Sequence, residues 1–177
     1  MSHHNHALIA ELKQETANTR KILESVPEDK FGWKPHEKSM TLGRLATHIA
    51  ELPGWIELIL TTDGLDFATR NNKPHTAADR QELLAILEDK LAKATEALEN
   101  ATPEDMLATW TMRRGDHIHF TLPKSAVIRN FSYSHLFHHR GQLTVFLRLL
   151  DVPVFGIYGP SADDIAARAA QAAEATA

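Results

Sequence analysis

The chain has no cysteine. Disulfides and thiolate ligands are therefore excluded, so any metal must be held by nitrogen and oxygen, and any thiol chemistry needs a thiol from outside. No apolar run is long enough to span a bilayer, and no apolar stretch follows a basic one at the amino terminus. A cytoplasmic protein with no membrane partner is expected. Positive charge is also short: 19 Lys and Arg against 23 Asp and Glu give a net charge of −4, and the basic residues are scattered. Nucleic-acid binding needs a clustered basic footprint, so no nucleic-acid partner is expected.

What is present is enough apolar residue, 43% of 177 positions, to bury one sizeable core. Residues 6–23 place Leu8, Leu12, Thr19, Ile22 and Leu23 on one side, an amphipathic helix continued by Val26. Pro27 and Gly32-Trp33-Lys34-Pro35 then make a loop. A second helix starts near Thr41, whose hydroxyl can cap the first turn, and carries Leu45, His48, Ile49, Leu52, Ile56 and Ile59 on one face. Pro53 lies inside that pattern and predicts a kink about one turn after His48. The third helix follows a capping-box-like Thr76 and Asp79, repeats Leu84, Leu87, Leu91, Ala94 and Leu98, and ends near Asn100. From Leu107 to Leu122 the period becomes two, with Trp110, Met112, Ile118, Phe120 and Leu122 on the apolar face and Arg113-Arg114-Gly115-Asp116 as the turn. This predicts a β-hairpin covering one end of a helical bundle, with His117 and His119 as surface histidines. The fourth helix runs from Pro123 to Leu150, before Asp151-Val152-Pro153. Residues 1–161 thus read as a single domain, and 162–177 as an alanine-rich tail, helical or mobile. His3, His4 and His6 are assigned no role.

The fourth helix contains His135-Leu136-Phe137-His138-His139-Arg140-Gly141-Gln142. His135 and His139, four residues apart, stack on one helix face and can share a metal ion. At about 100° per residue they fall at the centre of a stripe with Ile128, Phe131, Leu143, Phe146 and Leu150, which points them into the core. Two hydrogen-bonded core histidines are the plainer alternative. Two polar rings in an apolar stripe are costly unless something binds both, however, and a metal does so. His48 on the second helix is the natural third ligand, and three histidines leave an open, catalytic-type position. A zincin would need Glu after His135, where Leu136 stands, and a ferritin-like site would need Glu-x-x-His pairs, where only the reversed His48-Ile49-Ala50-Glu51 occurs.

Two blocks carry a resemblance. Trp33-Lys34-Pro35-His36 through Leu42-Gly43-Arg44-Leu45-Ala46-Thr47-His48 is one; the His135–Gln142 run followed by Val152-Pro153 and Tyr158-Gly159-Pro160-Ser161 is the other. In this order and separation, over about residues 6–161, they resemble the DinB/YfiT-like family. The resemblance implies an all-α fold, a four-helix bundle with a short β-hairpin between helices 3 and 4. It also implies a divalent metal, zinc or nickel, held by His48, His135 and His139, with His138 outside the ligand set, and a homodimer.

Characterised members of that family include thiol-dependent S-transferases and a mycothiol-dependent isomerase, which implies a small-molecule substrate and a low-molecular-weight thiol. A metal deprotonates a bound thiol outright, so an external thiol fits a chain without cysteine. Metal-assisted hydrolysis, with Glu51 as a candidate base, and a non-enzymatic metal-binding stress-response module are the alternatives. Arg140 and Gln142 are read as salt-bridging or core hydrogen-bonding residues, with Gln142 on the inward stripe. Catalytic residues are not assigned.

Overall fold

The computed structural model describes residues 3–70 and 73–175. The side chains of His3 and His4, and residues 176–177 of the tail, lie outside the described residues. Helix α1 (His3–Glu24) buries Leu8, Leu12, Thr19, Ile22 and Leu23, as its periodicity predicts. Helix α2 (Leu42–Glu51) opens with the Thr41 hydroxyl accepting from the Arg44 amide at 3.3 Å. The kink expected at Pro53 is a break, and a separate helix α3 (Gly54–Thr61) follows. Proline has no amide to donate and its ring crowds the carbonyl four residues back. The chain turns there through i→i+3 bonds instead, from Leu52 to Ile49 and from Trp55 to Leu52.

Strand β1 (Gly64–Asp66), not foreseen from sequence, pairs in parallel with β2 (Thr109–Arg114), which pairs antiparallel with β3 (His117–Pro123). The approach of β1 to β2 requires glycine at position 64, where a Cβ would stand 2.4 Å from the Thr111 carbonyl oxygen. The expected hairpin is therefore two strands of a three-stranded sheet. Trp110 and Met112 are buried beneath it, and Phe120 and Leu122 partly so. Ile118, expected inside, is 58% exposed: the register slips between Met112 and Arg113, His119 becomes the extra residue of a bulge, and Ile118 turns to solvent.

Helix α4 (Arg80–Asn100) is capped by Asp79, whose carboxylate accepts from the Glu82 amide at 2.8 Å, rather than by Thr76. Short α5 (Pro103–Leu107), also missed, starts at a Thr102/Asp105 capping box. The fourth bundle helix is composite: α6 (Lys124–Ile128), a π-helical segment Arg129–Ser134, and α7 (His135–Leu149). With α1, α2–α3 and α4 it completes the four-helix bundle. One apolar cluster joins α1, α2, α4 and α7 around Leu23, Leu45, Leu87 and Leu143. Another joins α1, α3, α4 and the sheet around Leu12, Ile56, Leu98 and Trp110. Helix α8 (Ala162–Ala175) buries no residue; it is moored at its first turn, where Asp163 pairs with Arg148 and Asp164 accepts from the Gly156 and Ser161 amides. No helix among the described residues is long and apolar enough to cross a membrane.

Candidate metal centre

The π-helical segment decides which face of α7 looks inward. With i→i+5 bonding it takes more residues per turn, and over its length it retards the helix by about one residue, about 100°. The buried positions of α7 are consequently Leu136, Arg140, Leu143 and Leu147. His135 and His139, expected at the centre of the stripe, lie instead on its flank, half-buried and facing α2. Gln142 and His138 are exposed, so Gln142 is not on an inward stripe.

From that flank the two rings meet His48. The His48 and His135 Nε2 atoms are 3.3 Å apart, those of His135 and His139 are 2.9 Å apart, and one ligand atom from each of the three residues lies within 4.8 Å of the others. The far sides of two rings are engaged. His139 Nδ1 donates to Gln142 Oε1 at 2.7 Å, and the His135 ring hydrogen-bonds the Phe131 carbonyl. His48 Nδ1 faces Glu51 Oε2 at 4.0 Å, and Arg44 grips that carboxylate at 2.9 Å. A ring that donates from Nδ1 presents a lone pair at Nε2.

The rings are also poor bases. Burial, then the neighbouring His139, His135 and Arg44, lowers the His48 pKa to about 3. Burial likewise holds His135 and His139 below the usual imidazole value, with Gln142 opposing the shift at His139 and the Phe131 carbonyl at His135. Neutral imidazoles with converging lone pairs suit a cation rather than one another. For a tetrahedral ion with metal–nitrogen bonds of about 2.0–2.1 Å, ligand nitrogens stand roughly 3.3 Å apart. The donor set therefore fits a divalent metal.

Directly after His139 in α7, Arg140 is almost fully buried. Its guanidinium donates to the Glu15 carboxylate and, at 3.0 Å, 3.1 Å and 2.6 Å, to the Glu15 carbonyl, Thr19 Oγ1 and Tyr158 Oη. Tyr158 in turn donates to Glu15 at 2.8 Å. Arg140 is thus the salt-bridging residue expected. Glu15 was missed, although its place three residues after Leu12 and four before Thr19, on the buried stripe of α1, marks an acid that needs a cation. His117 and His119 are exposed and lie away from the triad.

The family model of the DinB family matches residues 1–174. The chain belongs to the DinB family. This DinB protein is 26% identical over 146 residues to the uncharacterized protein YrdA of Bacillus subtilis, covering 82% of this chain and 83% of that one. A solved DinB-like protein of Bacillus cereus, 25% identical, superposes with a TM-score of 0.64 over 84% of this chain and 94% of its own. YjoA, a DinB-like protein of Bacillus subtilis, gives 0.66 at 18% identity over 88% and 99%. YfiT of Bacillus subtilis, a probable metal-dependent hydrolase with an unusual four-helix bundle topology, gives 0.64 at 16% identity over 86% and 91%. The last two likenesses establish the shared bundle.

Proposed function

We propose that this DinB protein is a divalent-metal-dependent enzyme in which His48, His135 and His139 hold one zinc or nickel ion and a low-molecular-weight thiol is the nucleophile of an S-transfer or related reaction. The observation that carries it is the convergence of three neutral Nε2 atoms from two helices, with His48 also lining a wide cleft. When bound, the ion lowers the pKa of a thiol or water presented at its open position, so that either attacks at neutral pH. The chain's own residues do the rest. Gln142 fixes the His139 ring, the Phe131 carbonyl fixes His135, and Arg44 holds Glu51 against His48. The absence of cysteine leaves the nucleophilic thiol to the second substrate.

Hydrolysis is a second reading, favoured by the Glu51 carboxylate beside His48 and by the likeness to YfiT. We take the enzyme to be a cytoplasmic homodimer acting on a small molecule, with no nucleic-acid or membrane partner. Elemental analysis of untagged protein should find one divalent ion per chain. In cobalt- or nickel-substituted protein, the thiol substrate should change the d–d spectrum through a new sulfur ligand. No change with glutathione, bacillithiol or mycothiol, together with ester or amide turnover in thiol-free buffer, moves the assignment to hydrolysis. Silence in both assays leaves a metal-binding module. Sedimentation reads the dimer.

A further inference from the structure

The cleft beside His48 encloses about 1010 Å³ and is lined from α2, α3, α4, β2 and residues 67–70 and 73–75. That is the size of a small-molecule site. Its lining is rich in cations: Arg44, Arg70, Lys73, Lys90 and Arg114 line it, Glu51, the sole carboxylate among its described lining residues, is paired with Arg44, and Lys90 pairs with Asp89 outside the lining. In a chain of net charge −4 with scattered basic residues, this concentration is local to the cleft. Arg70 lies over the Trp55 ring at 6.0 Å and Arg114 over the Phe67 ring at 5.8 Å; neither makes a close ion pair among the described residues, and Arg114 is near enough to Asp66 to help lower its pKa. Each guanidinium is thus propped on an aromatic face, with its fork of N–H donors left for a ligand.

We infer that this cleft binds small anions with an aromatic or apolar body, the carboxylate or phosphate taken by Arg70 and Arg114 and the body set against the cleft's remaining apolar lining, Leu58 and the ring edges of Trp55 and Phe67. The physical basis is twofold. A guanidinium matches both oxyanions bidentately, and a concave site of one sign with low-dielectric walls concentrates ligands of the opposite sign. Cations are repelled and neutral isosteres lose the paired hydrogen bonds. The inference deepens the enzyme proposed above by naming the substrate class; it rests on that reading for turnover only, since binding needs the cleft alone.

The test is calorimetric titration of phenyl phosphate, benzoate, benzyl alcohol and benzylamine into chelator-treated and nickel-loaded protein, with metal content measured on each sample. Both anions should bind in both states, more weakly as sodium chloride rises, and at least about 10-fold more tightly than the alcohol or the amine; the tighter anion identifies the headgroup. The double variant Arg70→Gln/Arg114→Gln should lose at least about 10-fold in anion affinity with unchanged metal content, while Lys13→Gln on the exposed face of α1 should lose nothing. Equal binding of alcohol and anion overturns the inference. So does anion binding that disappears with the metal and ignores the double variant, because the ion would then be the receptor. Protein that holds no metal yet binds the anions keeps the cleft and removes the enzyme.

Discussion

Helix α7 carries two polar groups into the bundle, side by side and opposite in kind. Arg140 reaches Glu15, Thr19 and Tyr158, and every one of these contacts pairs a donor with an acceptor. His135, by contrast, meets both His48 and His139 nitrogen to nitrogen, Nε2 against Nε2. The first arrangement is complete within the chain; the second is the one we propose a cation completes. The difference teaches how to read polar residues in an apolar core: the closed network reports on stability and the open one on a ligand.

The comparison can be broken most forcefully at the closed network. Arg140→Met strands the buried Glu15 carboxylate and should cost about 3–5 kcal/mol in urea unfolding, much of it recovered by adding Glu15→Leu, because removing both members of a buried pair is far milder than removing one. Metal affinity of the folded fraction should stay unchanged. At the open site the signature reverses. His139→Ala should weaken metal binding by more than about 100-fold, given that even outer partners are worth about 10–100-fold, while His138→Ala leaves it nearly intact. Competition with a chromogenic chelator reads both, and equal losses in the two variants would show that the wrong neighbour has been chosen.

Gln142→Leu sharpens the contrast further. It removes the acceptor that fixes the His139 ring, so metal affinity should fall about 10-fold with little change in unfolding. The smallest effect belongs to α8. Hydrogen bonds from the Ser161 and Gly156 amides hold the Asp164 carboxyl below its usual pKa, and the Arg148 guanidinium does the same for Asp163. A depressed folded-state pKa contributes stability that is present above the unfolded pKa and lost as pH falls through the folded one. Acidification below about pH 4 should therefore release α8 while the bundle stays folded. The Gly156 and Ser161 amide resonances, followed from pH 6 downward, read that release; Asp164→Asn should show it already at pH 6.

Much of this was legible in the residues. Thr41 caps where its hydroxyl says it should, Leu87, Ala94 and Leu98 are buried as spaced, and the His135–His139 spacing finds His48 across the bundle. What escaped has physical reasons. A three-residue strand such as Gly64–Asp66 has no periodicity to detect. Arg140 and Glu15 belong to residue types rarely found buried, and each is explained only by the other. The inward phase of α7 was misjudged because a wheel of constant pitch assumes that every turn above it is α-helical.

That last feature has a consequence for how the chain tolerates length changes. The π-helical turn works as a phase shifter: upstream, Ile128 faces the core; downstream, Leu136, Arg140 and Leu147 do, although a uniform α-helix would turn them about 80–120° away from it. Deleting one residue between 129 and 134 would restore uniform pitch and leave two halves of one helix with incompatible demands. Either α7 keeps Leu136 and Arg140 inward at the expense of the upstream packing, or it rotates by about 100°, parting Arg140 from Glu15 and swinging the histidines away from His48. A one-residue indel is ordinarily absorbed by a surface loop. Here it would act as a frameshift in three dimensions, with the histidine face and the buried ion pair read out of register together.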